Sequence, residues 1–210
     1  MRLAPASALA LSLGLSLLGG PAAATPEYVL PTLFDVTGVA AGDKLNIREA
    51  PSAQARIIGT LPADAKGVEV VAERAGWAQV NTAERAGWVK SRYLAYRTDV
   101  WLPGGLPAGL NCLGTEPFWS VRQVGPQVVY ETPEGARAME RRVVLDDGLP
   151  RSPARAVIAG DGQGRMTAVI QPAQCSDGMS DRVYGLSAVL VFDGAGQPSR
   201  MQTGCCRLAP

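Results

Sequence analysis

Ala72-Glu73-Arg74-Ala75-Gly76-Trp77 recurs eleven residues later as Ala83-Glu84-Arg85-Ala86-Gly87-Trp88. Each copy sets a polar turn with glycine directly ahead of a Trp-led strand, first Trp77-Ala78-Gln79-Val80 and then Trp88-Val89-Lys90. That spacing is one strand plus one turn, so the copies read as successive hairpin strands and not as a solenoid repeat. Upstream the pattern continues. Leu45-Asn46-Ile47-Arg48 alternates apolar and polar until Pro51-Ser52 breaks it, and Ile57-Ile58-Gly59-Thr60-Leu61 runs into a turn at Pro62-Ala63-Asp64. Val68-Glu69-Val70-Val71 follows, and no helical period appears. About five short strands in about 60 residues predict a small barrel over residues 35–97.

Leu45-Asn46-Ile47-Arg48, Ala50-Pro51-Ser52, Ile58-Gly59-Thr60-Leu61, Gly76-Trp77-Ala78-Gln79-Val80, Gly87-Trp88-Val89 and Tyr93-Leu94 follow one another in that order. In this the segment from about 36 to 95 resembles the bacterial SH3-like (SH3b) domain, with its L-N-V-R-x-x-P-S opening, G-W-x-x-V, G-W-V and final Y-L. The resemblance implies a small β-barrel that serves exported proteins as a non-catalytic targeting or binding module, often for cell-wall peptides or glycans. Leu45, Ile47, Ile58, Val70, Val80 and Val89 read as core. Trp77, Trp88 and Tyr93 are the aromatics that either pack or stack on a ligand, and buried aromatics dominate small cores.

Residues 98–110 read as a linker, because two prolines and three glycines exclude a regular element. Trp101 and Leu102 are too apolar for a free tether and should pack on a domain. Residues 111–210 form a second β unit. Strand patterns are visible in Phe118-Trp119-Ser120-Val121-Arg122, Gln127-Val128-Val129-Tyr130-Glu131, Arg142-Val143-Val144-Leu145, Arg155-Ala156-Val157-Ile158, Met166-Thr167-Ala168-Val169-Ile170 and 186–192. Six or seven strands in this length predict an antiparallel sandwich or barrel, so the whole chain is expected to be all-β.

The segment 1–24 reads as a signal peptide. Arg2 precedes an apolar stretch at 9–18, then Gly19-Gly20-Pro21 and the small residues Ala22-Ala23-Ala24. The stretch is shorter than the roughly 20 residues a spanning helix needs. The expectation is cleavage near Ala24, a mature chain starting at Thr25 without a transmembrane span, and a periplasmic or extracellular location. In that oxidising setting Cys112, Cys175, Cys205 and Cys206 read as a disulfide framework. Neighbouring side chains of a strand point to opposite faces, so Cys112 and Cys175 should each take one member of the doublet. Which takes which stays open.

The chain has 20 Lys+Arg, 19 Asp+Glu and no histidine. The balance argues against nucleic acid, which demands a concentrated basic face. Lack of histidine removes Ser-His-Asp and Cys-His engines and His-ligated zinc. Three segments do not read as ordinary strand and turn: Cys112-Leu113-Gly114-Thr115-Glu116-Pro117-Phe118-Trp119, Cys175-Ser176-Asp177-Gly178-Met179-Ser180-Asp181-Arg182-Val183-Tyr184, and Gly204-Cys205-Cys206-Arg207. Their order resembles a family of uncharacterised exported bacterial proteins, predicted membrane proteins or lipoproteins. Its members carry C-x-G-T-E-P-F-W, C-x-D-G-M-S-D-x-x-Y and G-C-C. That resemblance implies no activity.

Through the disulfides the three segments should converge, bringing Glu116, Asp177 and Asp181 together with Trp119, Ser180, Arg182 and Tyr184. The cluster reads as a structural network or a ligand pocket. Asp177-x-x-x-Asp181 is not EF-hand spacing, so neither a metal nor a cofactor is expected. With the export signal, the SH3b resemblance implies a non-enzymatic envelope protein whose SH3b module binds peptidoglycan or an envelope protein, beside a second stapled binding domain. The competing expectation is an envelope (peptidoglycan) hydrolase using Glu116 with Asp177 or Asp181 as an acid–base pair.

Overall fold

The computed structural model describes residues 27–194 and 196–208, and the signal peptide expected at 1–24 lies outside them. The first unit holds eight strands: β1 (Thr32–Val36), β2 (Lys44–Arg48), β3 (Ile57–Pro62), β4 (Val68–Val70), β5 (Ala72–Arg74), β6 (Trp77–Thr82), β7 (Arg85–Lys90) and β8 (Leu94–Tyr96). They form two sheets, β4-β1-β8 and β3-β2-β7-β6-β5. The chain switches sheets at buried Val71, whose N–H donates to the Gln79 carbonyl at 3.0 Å. Strand alternation aims Leu45, Ile47, Ala78, Val80 and Val89 into one core with Phe34, Val36 and Val70. Ile58 packs on that core only in part. The unit therefore begins at Thr32, ahead of the boundary expected at 35, because β1 pairs with both β4 and β8.

The repeat does not fold twice the same way. In the first copy Ala75 and Gly76, with φ of 49° and 77°, make the two-residue turn between β5 and β6. Both positions left-handed is the type I′ pattern, whose twist suits a hairpin. In the second copy the turn falls on Ala83 and Glu84, and β7 already runs at Arg85. Gly87 thus sits inside a strand, opposite Val80. A Cβ there would come within 2.5 Å of the Ile47 side chain and 2.9 Å of Ile58.

The second unit is β9 (Asn111–Thr115), β10 (Phe118–Val124), β11 (Gln127–Thr132), β12 (Gly135–Asp146), β13 (Arg155–Asp161), β14 (Gly164–Cys175), β15 (Tyr184–Gly194) and β16 (Gln197–Arg207). Each pairs antiparallel with the next, and β16 returns to β9, giving a closed eight-stranded up-and-down barrel. Of the two closures expected, the barrel is the one that forms. Met139, Met166, Leu186 and Leu190 are fully buried inside it, and Tyr130 meets Phe192 edge-on at 4.9 Å. A cavity of about 20 Å³ lies near Leu106 and Leu110. That is room for a single water and no ligand. Among the described residues no helix is long and apolar enough to cross a membrane.

β9 and β16 carry no hydrophobic run, and strand reading overlooked both. Pairing places Arg200, Gln202, Gly204 and Cys206 of β16 on the inner face, where polar and small residues replace the usual apolar row. Gln202 accepts from the Tyr130 hydroxyl at 2.9 Å, and the Arg200 guanidinium caps Phe192 at 4.0 Å. Residues 98–110 are no tether. Val100, Trp101 and Leu110 join the barrel core, and Trp101 Nε1 donates to the Pro31 carbonyl at 2.9 Å. Leu102, expected to pack, is instead 55% exposed.

Candidate functional site

The cysteine doublet resolves as strand geometry requires. Cys206 faces inward and bonds Cys112, its directly opposite neighbour on β9, while Cys205 faces outward and bonds Cys175. No described cysteine is free. Trp119 is buried inside the barrel, and its indole explains two glycines of the motifs. A Cβ on Gly114 would collide with the indole Nε1, and one on Gly204 would come within 2.7 Å of the ring and strike the Leu113 carbonyl. The C-x-G, F-W and G-C-C elements are therefore one packing device.

Of the expected carboxylate cluster, Glu116 and Asp177 share one cleft, and Asp181 lies elsewhere. Asp177 accepts from the backbone N–H groups of Met179 (3.0 Å) and Ser180 (2.9 Å), and from the hydroxyls of Ser180 (2.8 Å) and Tyr184 (3.0 Å). Burial pushes its carboxyl up, but those four donors outweigh it and hold Asp177 down at about 2. Such a group is ionised at neutral pH and is ill suited to be a general acid, which needs a raised value. Exposed Glu116 shares with Asp177 a cleft of about 380 Å³ beside Cys175–Cys205. Asp181 is not on that cleft. Among the described residues no group of three or more His, Cys, Asp or Glu could hold a metal ion.

Asp181, Arg182 and Val183 instead fasten the barrel to the first unit. Asp181 N–H donates to the Glu84 carbonyl, and its carbonyl accepts from Ala86 N–H, both at 2.9 Å, a parallel bridge alongside Arg85. The Asn81 amide grips Val183 from both sides, donating to its carbonyl at 2.9 Å and accepting from its N–H at 3.0 Å. Arg182 Nε donates to the Ala83 carbonyl at 2.6 Å, with Glu84 at 3.4 Å from its guanidinium. The second copy of the repeat is thus the dock for the D-x-x-Y segment, a role no local pattern announces.

A different site lies on the first unit. Lys44, Asn46 and Arg48 on β2 and Trp77 on β6 alternate with the core positions and so face away from the core. With Lys90, Arg92 and Tyr93 they line a groove of about 430 Å³. Trp77 is 5% exposed, with Lys90 Nζ 4.2 Å above its ring. Half-buried Tyr93 carries Arg92 at 4.8 Å in the same manner, while half-buried Trp88 sits opposite Gln79 and Arg48. The cations were not among the expected site residues, although their alternation with Leu45, Ile47 and Val89 was available to find them.

The bacterial SH3 domain family matches residues 43–95, so this part of the chain is a bacterial SH3 domain. No family match reaches residues 96–208. Searches of curated proteins and of solved structures return no match.

Proposed function

We propose that this is an exported, non-enzymatic protein of the bacterial envelope whose SH3 domain binds acidic peptide groups of the cell wall. The groove carries the reading. Lys44, Arg48, Lys90 and Arg92 against Asp43 leave it net positive, and half-buried Tyr93 offers a flat ring beside those cations, with Trp77 buried beneath Lys90 as its floor. Wall stem peptides present carboxylates next to small apolar side chains, which is the complementary chemistry. No residue of the eight-stranded barrel lines the groove, so it stays open while the units are docked. The two disulfides support an oxidising compartment. The leader-like segment 1–24 and the likeness of 112–207 to an exported family point the same way. In this reading the stapled barrel carries the SH3 domain rigidly, and its cleft beside Glu116 is where a second ligand would bind.

The test is co-sedimentation with purified peptidoglycan. Wild-type protein should pellet with the wall, while Lys44→Glu combined with Lys90→Glu should stay in the supernatant with its melting temperature nearly unchanged. Equal pelleting of both would end the proposal. Trp77 is a poor probe, because truncating a buried aromatic costs about 3–5 kcal/mol of stability and confounds binding.

A further inference from the structure

We propose that Cys175 is a thiol–disulfide exchange site, and that opening its bond to Cys205 releases the SH3 domain from its dock on the barrel. The site lies where the dock begins. β14 and β15 pair in step as far as Pro172 and Leu186, slip out of register, and meet once more at Cys175 and Tyr184. Residues 176–183 loop out between that last pair. Within the loop, Asp181, Arg182 and Val183 make the bonds to Asn81, Ala83, Glu84 and Ala86. Cys175–Cys205 is the covalent tie at the root of the loop, fixing it across β15 to β16.

Access singles out one cysteine. Cys112, Cys205 and Cys206 are buried, while Cys175 is half-buried. Cys175 and Cys205 both border the cleft of about 380 Å³ that holds Glu116 and Asp177. Gly114, Ser176, Ser187, Thr203 and Gly204 are among its walls, short residues that leave a thiol a path to the bond.

The reactant is an external dithiol. Its thiolate attacks the sulfur of Cys175, the bond to Cys205 breaks, and Cys205 leaves as a thiolate. The second thiolate of the dithiol then attacks the first across the mixed disulfide, and Cys175 leaves in turn. Each protein sulfur takes up a proton, two electrons have passed to the protein, and the dithiol departs as its own disulfide. Cys112–Cys206, inside the barrel, keeps β9 on β16 throughout. What is lost is local. Freed from β16, the loop is held to the barrel by the Cys175–Tyr184 pair, by the Tyr184–Asp177 bond and by Thr115, whose hydroxyl donates to the Asp177 carbonyl at 3.0 Å. A segment with few ties opens at far lower free energy than the core, so residues 181–183 come away from the SH3 domain while the barrel stays closed. A redox change at one bond thereby biases a two-state element, docked or undocked.

The experiment is amide hydrogen exchange, read by NMR on the intact chain before and after brief treatment with dithiothreitol. Alkylation and peptide mapping identify which bond has opened. The Ala86 and Asp181 amides report the dock, because each donates across it at 2.9 Å. Opening Cys175–Cys205 alone should speed their exchange by about tenfold or more, while the β13–β14 ladder stays protected, and reoxidation should restore both amides. Cys175→Ser with Cys205→Ser should exchange fast without reductant and show no response to it; the reduced wild type carries the test if that variant does not fold. A thioredoxin-type dithiol protein whose second cysteine is replaced by serine should be trapped on Cys175 and not on Cys205. Lys44→Glu with Lys90→Glu in the distant groove should behave as wild type, which separates this device from wall binding. Unchanged exchange at Ala86 and Asp181 after the bond opens, loss of protection throughout the barrel, equal opening of Cys112–Cys206, or trapping on Cys205 would each overturn the proposal.

Discussion

Asp177 shows how one side chain can organise a loop. Its four donors tie residues 179–184 into a fixed turn, and the stabilisation they give its charge exists in the folded state alone. Its carboxyl is depressed from 3.8 in the free residue to about 2. Its stabilisation is therefore complete above the unfolded value and is lost as pH falls from about 4 through about 2. Asp161, paired with Arg137 at 2.6 Å and also lowered to about 2, loses its contribution over the same interval. Asp177→Asn should therefore lower stability by roughly 1–2 kcal/mol at pH 7, an amount reduced by partial solvent exposure. The difference from wild type should shrink below pH 3, and melts across that range read it. Gly204→Ala should be more damaging, because the new Cβ meets the Leu113 backbone as well as Trp119. A loss of about 3 kcal/mol or more is expected, measurable by denaturant titration.

At the level of elements, β16 fastens the barrel from both faces. Cys112–Cys206 closes a separation of 94 residues inside it, with both sulfurs out of reach of solvent. Cys175–Cys205 closes 30 residues on the outer face of the barrel; Cys205 is buried too, and half-buried Cys175, which borders the cleft of Asp177, is the one cysteine of the four with partial access. Thiol exchange requires access to a sulfur, so a mild reductant should open Cys175–Cys205 while leaving Cys112–Cys206 intact. Differential alkylation followed by peptide mapping distinguishes the two, and equal rates would contradict the burial difference. For equilibrium stability the order reverses. The chain-entropy relation assigns the long loop about 4–5 kcal/mol and the short one about 3–4 kcal/mol, so Cys112→Ser should cost more than Cys175→Ser.

Over the whole molecule, the bonds that Asn81, Ala83, Glu84 and Ala86 make with residues 181–183 join two domains that each have a separate core. Wild type should melt in one coupled transition. Asn81→Ala with Arg182→Ala removes the side-chain half of the dock and should split the melt in two, with little change in the SH3 core. Calorimetry resolves this, and a single unshifted transition would mean that the packing of Pro31 against Gly185 and Trp101 suffices to hold the domains together.

Much of this was legible in local pattern. Alternation in Leu45-Asn46-Ile47-Arg48, the Gly-Trp pairs and the punctuation by Gly and Pro determined an all-β chain with an SH3 domain over its first half. Strand geometry alone required Cys205 and Cys206 to face opposite ways. Other features had no local signal. β16 turns polar and small residues inward because its neighbours, Phe192, Tyr130 and Trp119, already fill the barrel, and only closure against β9 reveals that. Asp181 and Arg182 looked like site residues because charge in a glycine-rich motif suggests chemistry. Docking made them fasteners, chiefly through backbone groups that every sequence possesses. The repeat is the sharpest case. One hexapeptide forms a turn at Ala75-Gly76 and a strand interior at Gly87, because hairpin register is set by what each residue must pack against. Opposite Val80, beside Ile47 and Ile58, only a residue without a side chain fits.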